Sequence, residues 1–177
     1  SYTAFVGGAG DGETGNVRNF EVNGVPVGSG GAIKYYSHDE AEKLLNDIRA
    51  QPPETRIVLV GHSWGGDTAA RVAARLGAEG RPVDLLATID PVGNGASDGF
   101  LNRVRAGSRE WINVQATGGN WYDGDNLIAR LGNRYGSAPQ RFADQHIAAG
   151  FGHADFADLV RHPGADGRSA LQRALSR

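Results

Sequence analysis

The sequence lacks cysteine and methionine altogether in its 177 residues. Without cysteine, the chain has neither disulfide bonds nor thiolate metal sites. No secretory leader is visible at Ser1, and the missing start methionine is consistent with a processed or trimmed chain. Apolar runs are short, whereas a membrane-spanning helix needs about 20 apolar residues. We therefore expect a soluble protein without a transmembrane segment, and its compartment, secreted or cytoplasmic, stays open.

The chain also lacks an excess of charge of either sign. The net charge is −2, from 18 basic and 20 acidic residues, and no block of like charges occurs. This balance argues against a nucleic-acid partner, which needs a basic surface. Hydrophobic residues make up 40% of the chain, which is typical of a folded protein. The length suits one core, so we predict a single domain over residues 1–177.

Short apolar runs alternate with helical patterns along the chain. The runs that indicate buried strands are residues 2–6, 32–36, 56–60, 84–89 and 110–116. The helical stripes are residues 39–51 and 66–76, with weaker ones at 99–106, 125–131, 154–161 and 168–176. Gly77 is predicted to stop the second helix. This alternation predicts an α/β fold with a mostly parallel central sheet of about five to six strands and helices on both faces.

The most informative stretch is Gly61-His62-Ser63-Trp64-Gly65, which directly follows a buried strand. The pattern Gly-x-Ser-x-Gly is weak by itself in a chain with 27 glycines. Its context is stronger, because a strand enters the pattern and an alanine-striped helix leaves it. A serine on such a sharp turn has strained backbone and an exposed hydroxyl. Ser63 is therefore the predicted nucleophile.

This stretch resembles the nucleophile elbow of the α/β-hydrolase family. The resemblance extends from Phe5 to about Val160, and the short chain is similar to minimal, lidless members such as cutinases and compact bacterial lipases. It implies a serine nucleophile, a histidine base and an acid, in the chain order Ser, Asp or Glu, His.

Five histidines compete for the role of base. The family order excludes His38 and His62, which precede or adjoin the nucleophile on its N-terminal side. His162 lies in a turn pattern near the C-terminus. His153 follows a glycine and precedes a helical pattern, which resembles the family's histidine loop, so it is the predicted base. His146 is the alternative, placed in the same loop.

The predicted acid is Asp90, which directly follows the apolar run 84–89. Parallel strands present their carboxyl ends at one edge of the sheet, so Asp90 and Ser63 are expected to lie close together. An acid in this place resembles the arrangement of pancreatic-type lipases. Many family members place the acid one strand later, which makes Asp123 and Asp125 the alternatives.

An oxyanion hole needs two preorganised N–H groups. The resemblance assigns one to Trp64, the residue after the nucleophile. The other comes from the loop after an earlier strand, where Gly8 and Ala9 are both candidates. The aromatic residues expected to line an acyl pocket are Trp64, Phe100, Trp121, Tyr122 and Phe151.

Two other kinds of site have weaker support. Residues 10–15 match the dinucleotide pattern G-x-G-x-x-G, but no helical stripe follows in residues 16–31, where the pyrophosphate would need a helix N-terminus. An unspecific set of metal ligands is formed by His146, His153, Asp144 and Asp155. We therefore predict no cofactor and no metal.

The predicted function is a serine hydrolase that cleaves carboxylic esters, of lipids or short acyl groups, through an acyl-enzyme. A thioesterase or amidase with the same triad is the first alternative. A non-catalytic binding module on a hydrolase scaffold is the alternative of another class. The substrate is expected to be a small molecule or lipid ester, and any parent polypeptide or protein partner is unidentified.

Overall fold

The computed structural model of the chain describes residues 1–119 and 133–176. Its strands are β1 (Tyr2–Gly7), β2 (Glu21–Val22), β3 (Val25–Pro26), β4 (Lys34–Ser37), β5 (Ile57–His62), β6 (Val83–Ile89), β7 (Ser108–Ala116) and β8 (Gln145–Ala149). Its helices are α1 (Asp11–Thr14), α2 (Ala41–Arg49), α3 (Trp64–Ala78), α4 (Asp98–Ala106), α5 (Phe156–Arg161) and α6 (Ala170–Leu175). The predicted helix over 125–131 lies outside the described residues.

Six of the strands form one parallel sheet in the order β4-β1-β5-β6-β7-β8. Every residue of β5 is buried, because helices cover the sheet on both sides. Helices α2, α3 and α4 pack on one face, and α5 and α6 pack on the other. The predicted α/β fold, with a parallel sheet of about five to six strands, is confirmed.

Within the six-stranded sheet, the strand that sequence analysis did not predict is β8, at one edge. Its five residues include the polar Gln145 and His146 and the exposed Ala148, so they form no continuous apolar run. An edge strand has fewer neighbours than a central one, and it can therefore carry polar residues. His146 consequently lies on a strand and not, as predicted, in a loop.

Helix α3 runs past its predicted end. Gly77 lies inside the helix, which continues to Ala78, so the prediction that Gly77 stops the helix was wrong. A Cβ atom on Gly77 would come within 2.4 Å of the Cα atom of Gly107, which follows α4. Glycine is therefore needed here for close packing of two backbones, which a sequence pattern does not distinguish from a helix stop.

The glycine-rich chain between β1 and β4 is organised around one carboxylate. Asp11 is buried and accepts hydrogen bonds from the backbone N–H groups of Val17 and Arg18 and from the hydroxyl of Tyr35. Helix α1 has only four residues, with no long helix after it to meet a pyrophosphate. Among the described residues, no helix is both long and apolar enough to span a membrane.

Candidate active site

Ser63 occupies the turn between β5 and α3. Its backbone angles, φ 57° and ψ −127°, lie outside the regions that L-residues normally adopt. Such a conformation costs about 1–3 kcal/mol and persists only where its surroundings enforce it. Here the Ser63 N–H donates to the carbonyl of Ile89 on β6, and its carbonyl accepts from Gly66 and Val92. The turn therefore holds the hydroxyl at the carboxyl edge of the sheet.

Glycines on both sides of Ser63 make this turn sterically feasible. A Cβ atom on Gly61 would lie 2.3 Å from the carbonyl oxygen of Gly65. A Cβ atom on Gly65 would lie 2.2 Å from the carbonyl oxygen of Val6 on β1. The pattern thus has a physical cause, since α3 begins against the ends of β5 and β1 with no room for a side chain.

The structure brings the predicted nucleophile, base and acid together. The Ser63 Oγ atom lies 2.9 Å from Nε2 of His153, and Nδ1 of His153 lies 2.5 Å from Oδ2 of Asp90. All three residues are buried, with 8%, 7% and 1% of their surfaces exposed respectively. Because a carboxylate accepts only, Nδ1 carries the proton, and Nε2 accepts from the Ser63 hydroxyl. This is the geometry of an activated serine.

Asp90 directly follows β6 with a left-handed backbone, φ 42°, and both of its carboxylate oxygens accept hydrogen bonds. Oδ1 accepts from the N–H of Ala116 at 3.1 Å and from Nη2 of Arg134 at 2.8 Å, and Oδ2 accepts from the same Nη2 at 2.6 Å. Burial alone would raise the pKa of Asp90, but hydrogen bonds and charge from His153 and Arg134 outweigh it and lower that pKa. Asp90 is therefore ionised at neutral pH.

Arg134 was not foreseen from the sequence. It follows the segment that the structure does not describe and carries no motif, so its partner becomes visible only in three dimensions. The backbone of Arg134 forms an isolated antiparallel bridge with Val92, two residues after Asp90. This bridge is what delivers the guanidinium to the acid.

His62, the residue before the nucleophile, supports His153 from behind. The two imidazole rings stack with centroids 5.1 Å apart, and Nε2 of His62 donates to the backbone carbonyl of His153 at 2.7 Å. Phe156 covers the other part of the His62 ring, at 5.3 Å. Burial, and then the charge of His153, lower the pKa of His62 to about 4. His62 is therefore a neutral support at physiological pH.

This depressed pKa predicts a loss of stability in acid. Below about pH 6.5 the unfolded chain protonates His62, whereas the folded chain does so only near pH 4. Stability therefore falls as the pH falls through this window, by about 2–3 kcal/mol between pH 7 and pH 4.5 from this group. Between pH 7 and pH 4.5, we expect the free energy of unfolding of His62→Gln, measured in urea, to fall by about 2–3 kcal/mol less than that of the wild type. Equal losses in the two proteins would contradict the prediction.

The predicted oxyanion donors border the same cleft as Ser63. A Cβ atom on Gly8 would lie 2.8 Å from Cβ of Ser63, so the backbone of Gly8 packs directly against the nucleophile. Within the described part of the chain, the N–H groups of Trp64, Gly8 and Ala9 donate to no other group. They border a cleft of about 80 Å³ together with Ser63 and His153. Free N–H groups at the start of α3 suit a developing negative charge.

The alternative base lies elsewhere. His146 on β8 contacts Asn113 through Nδ1 at 3.2 Å and Gln115 through Nε2 at 3.1 Å, so both ring nitrogens are occupied away from Ser63. Partial burial lowers its pKa. The alternative acids Asp123 and Asp125 lie outside the described residues.

The unspecific metal set is not assembled. Asp144 binds Arg105 and the N–H of Trp111, and Asp155 accepts from the N–H of Gly152. In residues 1–119 and 133–176, no three of the side chains that bind metals in proteins cluster together. The structure thus separates the four residues by giving each a different structural partner.

The predicted aromatic lining is only partly present. Trp64 borders the cleft. Phe100 lies on α4 and packs against Tyr135 and Arg71, so the prediction that it lines an acyl pocket was wrong. The ring of Phe151 lies against His162 and not in the cleft. Trp121 and Tyr122 lie outside the described residues.

No protein-family model matches the sequence, and no curated protein sequence matches it significantly. Solved structures do match. One is YbtT, a type II thioesterase from the yersiniabactin NRPS/PKS biosynthetic pathway, with 11% identity, a TM-score of 0.52 and coverage of 89% of this chain and 87% of that one. Another is the NocB thioesterase domain in covalent complex with a fluorophosphonate nocardicin G analogue, with 16% identity, a TM-score of 0.53 and coverage of 100% and 96%. The order of the sheet, the elbow at Ser63 and these likenesses agree: the chain has the α/β-hydrolase fold.

Proposed function

We propose that the protein is a serine hydrolase that cleaves acyl esters or thioesters through Ser63, His153 and Asp90. The observation that carries this proposal is the continuous hydrogen-bonded line from the Ser63 hydroxyl through His153 to the ionised Asp90. A nucleophile, a base and a group that orients the base are the parts that acyl transfer requires. No cofactor enters the proposed reaction.

In the first half of the reaction, Ser63 Oγ attacks the carbonyl carbon of the substrate, and its proton passes to Nε2 of His153. The negative charge that develops on the carbonyl oxygen is held by the N–H of Trp64 and that of Gly8 or Ala9. The bond from the carbonyl carbon to the leaving oxygen or sulfur then breaks. The leaving group takes the proton from Nε2, and the acyl group stays on Ser63.

In the second half, water attacks the acyl-enzyme. It gives one proton to Nε2 of His153, and the bond between the acyl carbon and Ser63 Oγ breaks as that proton returns to the serine. The products are a carboxylic acid and the free enzyme. Asp90 stabilises the imidazolium that forms in each half and keeps Nδ1 of His153 protonated.

The leaving group is the open part of the proposal. The structural neighbours are named as thioesterases, so we compare a thioester with an oxyester as the bond that is cleaved. A likeness at this identity concerns the fold. The rates of hydrolysis of a p-nitrophenyl acyl ester and of an acyl thioester of the same acyl length, measured side by side, decide between an oxyester and a thioester substrate. A carrier-bound acyl group is a further substrate form for the same comparison.

The test of the proposed function is labelling with a fluorophosphonate probe, followed by mass spectrometry. We expect one label, on Ser63, and its complete loss in Ser63→Ala. Ser108 provides a matched control, because it is also buried but donates to the carbonyl of Val104. Ser108→Ala should label like the wild type. A folded wild-type protein that takes no label would favour the binding-module alternative.

A further inference from the structure

Beyond the three reacting residues, the acid has a cationic partner. Nη2 of Arg134 contacts both oxygens of Asp90, at 2.8 and 2.6 Å, and the carbonyl oxygen of Ala116 at 2.9 Å. Only 20% of the Arg134 side chain is exposed, and Asp90 is almost completely buried. A pair this buried is weakly screened by water, so the guanidinium acts strongly on the carboxylate.

The position of Arg134 is fixed from both sides of its own backbone. The N–H of Gly93 donates to the carbonyl of Asn133, and the N–H of Tyr135 donates to the carbonyl of Pro91, both at 3.0 Å. The Tyr135 hydroxyl then donates to the buried carboxylate of Asp67 on α3 at 2.5 Å. Arg134 therefore belongs to a strap, residues 133–135, that is fastened to the chain just after Asp90.

Asp90 is shared between two cationic partners once His153 takes up a proton. Oδ2 accepts from Nδ1 of His153 and from Arg134 at the same time. Against the effect of its burial, the hydrogen bonds and the positive charge of His153 and Arg134 lower the pKa of Asp90. With Arg134 in place, the carboxylate therefore stays ionised, and able to orient the imidazole, to lower pH.

We propose that Arg134 is a positioning residue that holds the Asp90 carboxylate toward His153 and extends the activity of the site to lower pH. This inference rests on the proposed function, and it adds a residue to the site and a control on its pH range.

Within residues 1–119 and 133–176, other ionisable groups also lie near His153. His62 stacks on its ring from β5, Asp11 lines the same cleft, and Asp155 lies two residues further along the same loop. His62 is neutral above about pH 4, and Asp11 and Asp155 each hold backbone N–H groups. The variants of Arg134 leave these groups unchanged, so a difference in pH profile reports on Arg134.

The test compares the pH profiles of kcat/KM for a p-nitrophenyl ester in Arg134→Gln, Arg134→Met and Arg134→Lys. We expect the two neutral variants to lose activity on the acid side at a pH higher by about half to one unit, and their plateau to fall about tenfold. Arg134→Lys keeps the charge and should keep the wild-type acid limb within about 0.2 units. Arg141→Gln removes a charge from the exposed pair with Asp98 and should match the wild type.

Several results would overturn the inference. An unchanged acid limb in both neutral variants contradicts it, even where the plateau falls. Failure of both variants to fold while Arg141→Gln folds would mean that Arg134 has a structural role only. NMR of the His153 imidazole gives a second readout that does not depend on turnover. If the wild type hydrolyses no ester, the proposed function fails. The inference about Arg134 then still requires the imidazole signal to change at a higher pH in Arg134→Gln than in the wild type.

Discussion

Replacing His153 by alanine is expected to lower kcat/KM for ester hydrolysis by about 10⁴- to 10⁶-fold, whereas His146→Ala should stay within about threefold of the wild type. The difference follows from position. Nε2 of His153 lies 2.9 Å from the Ser63 hydroxyl, and the alanine variant removes this acceptor of the serine proton. In the described part of the chain, the His146 ring nitrogens bind Asn113 and Gln115, on strand β7.

The two histidine variants must be compared as folded proteins. His146→Ala removes a partner from the buried Asn113 and should cost about 1–2 kcal/mol of stability, measured by urea unfolding. Its activity is therefore measured well below its melting temperature. If His146→Ala is inactive while folded and His153→Ala is active, the assignment of the base is reversed.

Much of the fold could be predicted because its strands are buried on both faces. Continuous apolar runs such as Ile57–Val60 can hardly be placed anywhere except in the centre of a sheet. The edge strand β8 was not predicted, because its polar residues interrupt the apolar run. Gly77 shows a different limit, since its function is contact with Gly107, which is distant in sequence.

The candidate site likewise contains residues that the sequence could predict and residues that it could not. Ser63, Asp90 and His153 could be proposed because each ends or follows a strand or precedes a helix, and parallel strands gather such residues at one edge. Arg134 could not, because its approach to Asp90 depends on the bridge between its backbone and Val92. Likewise, the stacking of His62 on His153 depends on a loop that returns to the elbow from 91 residues later in the chain.

Gly8→Ala is expected to lower kcat by about 10²- to 10³-fold with little change in KM. The added Cβ atom would lie 2.8 Å from Cβ of Ser63 and 3.1 Å from the carbonyl oxygen of His62, so either the loop or the nucleophile must move. Movement of the loop withdraws a proposed oxyanion donor, and one such donor contributes about 10²- to 10³-fold to kcat. Because that hydrogen bond forms in the transition state, the loss appears in kcat and not in KM.

A matched glycine variant separates this effect from a general change in the loop. Gly12 lies in α1, four residues further along the same segment, and a Cβ atom there would meet nothing within 4 Å. Gly12→Ala should therefore retain kcat within about twofold, since its side chain reaches neither Ser63 nor the cleft. Steady-state kinetics on one p-nitrophenyl ester give both numbers. If Gly8→Ala hydrolyses the ester like Gly12→Ala, the loop after β1 supplies no oxyanion donor, and Trp64 would need another partner.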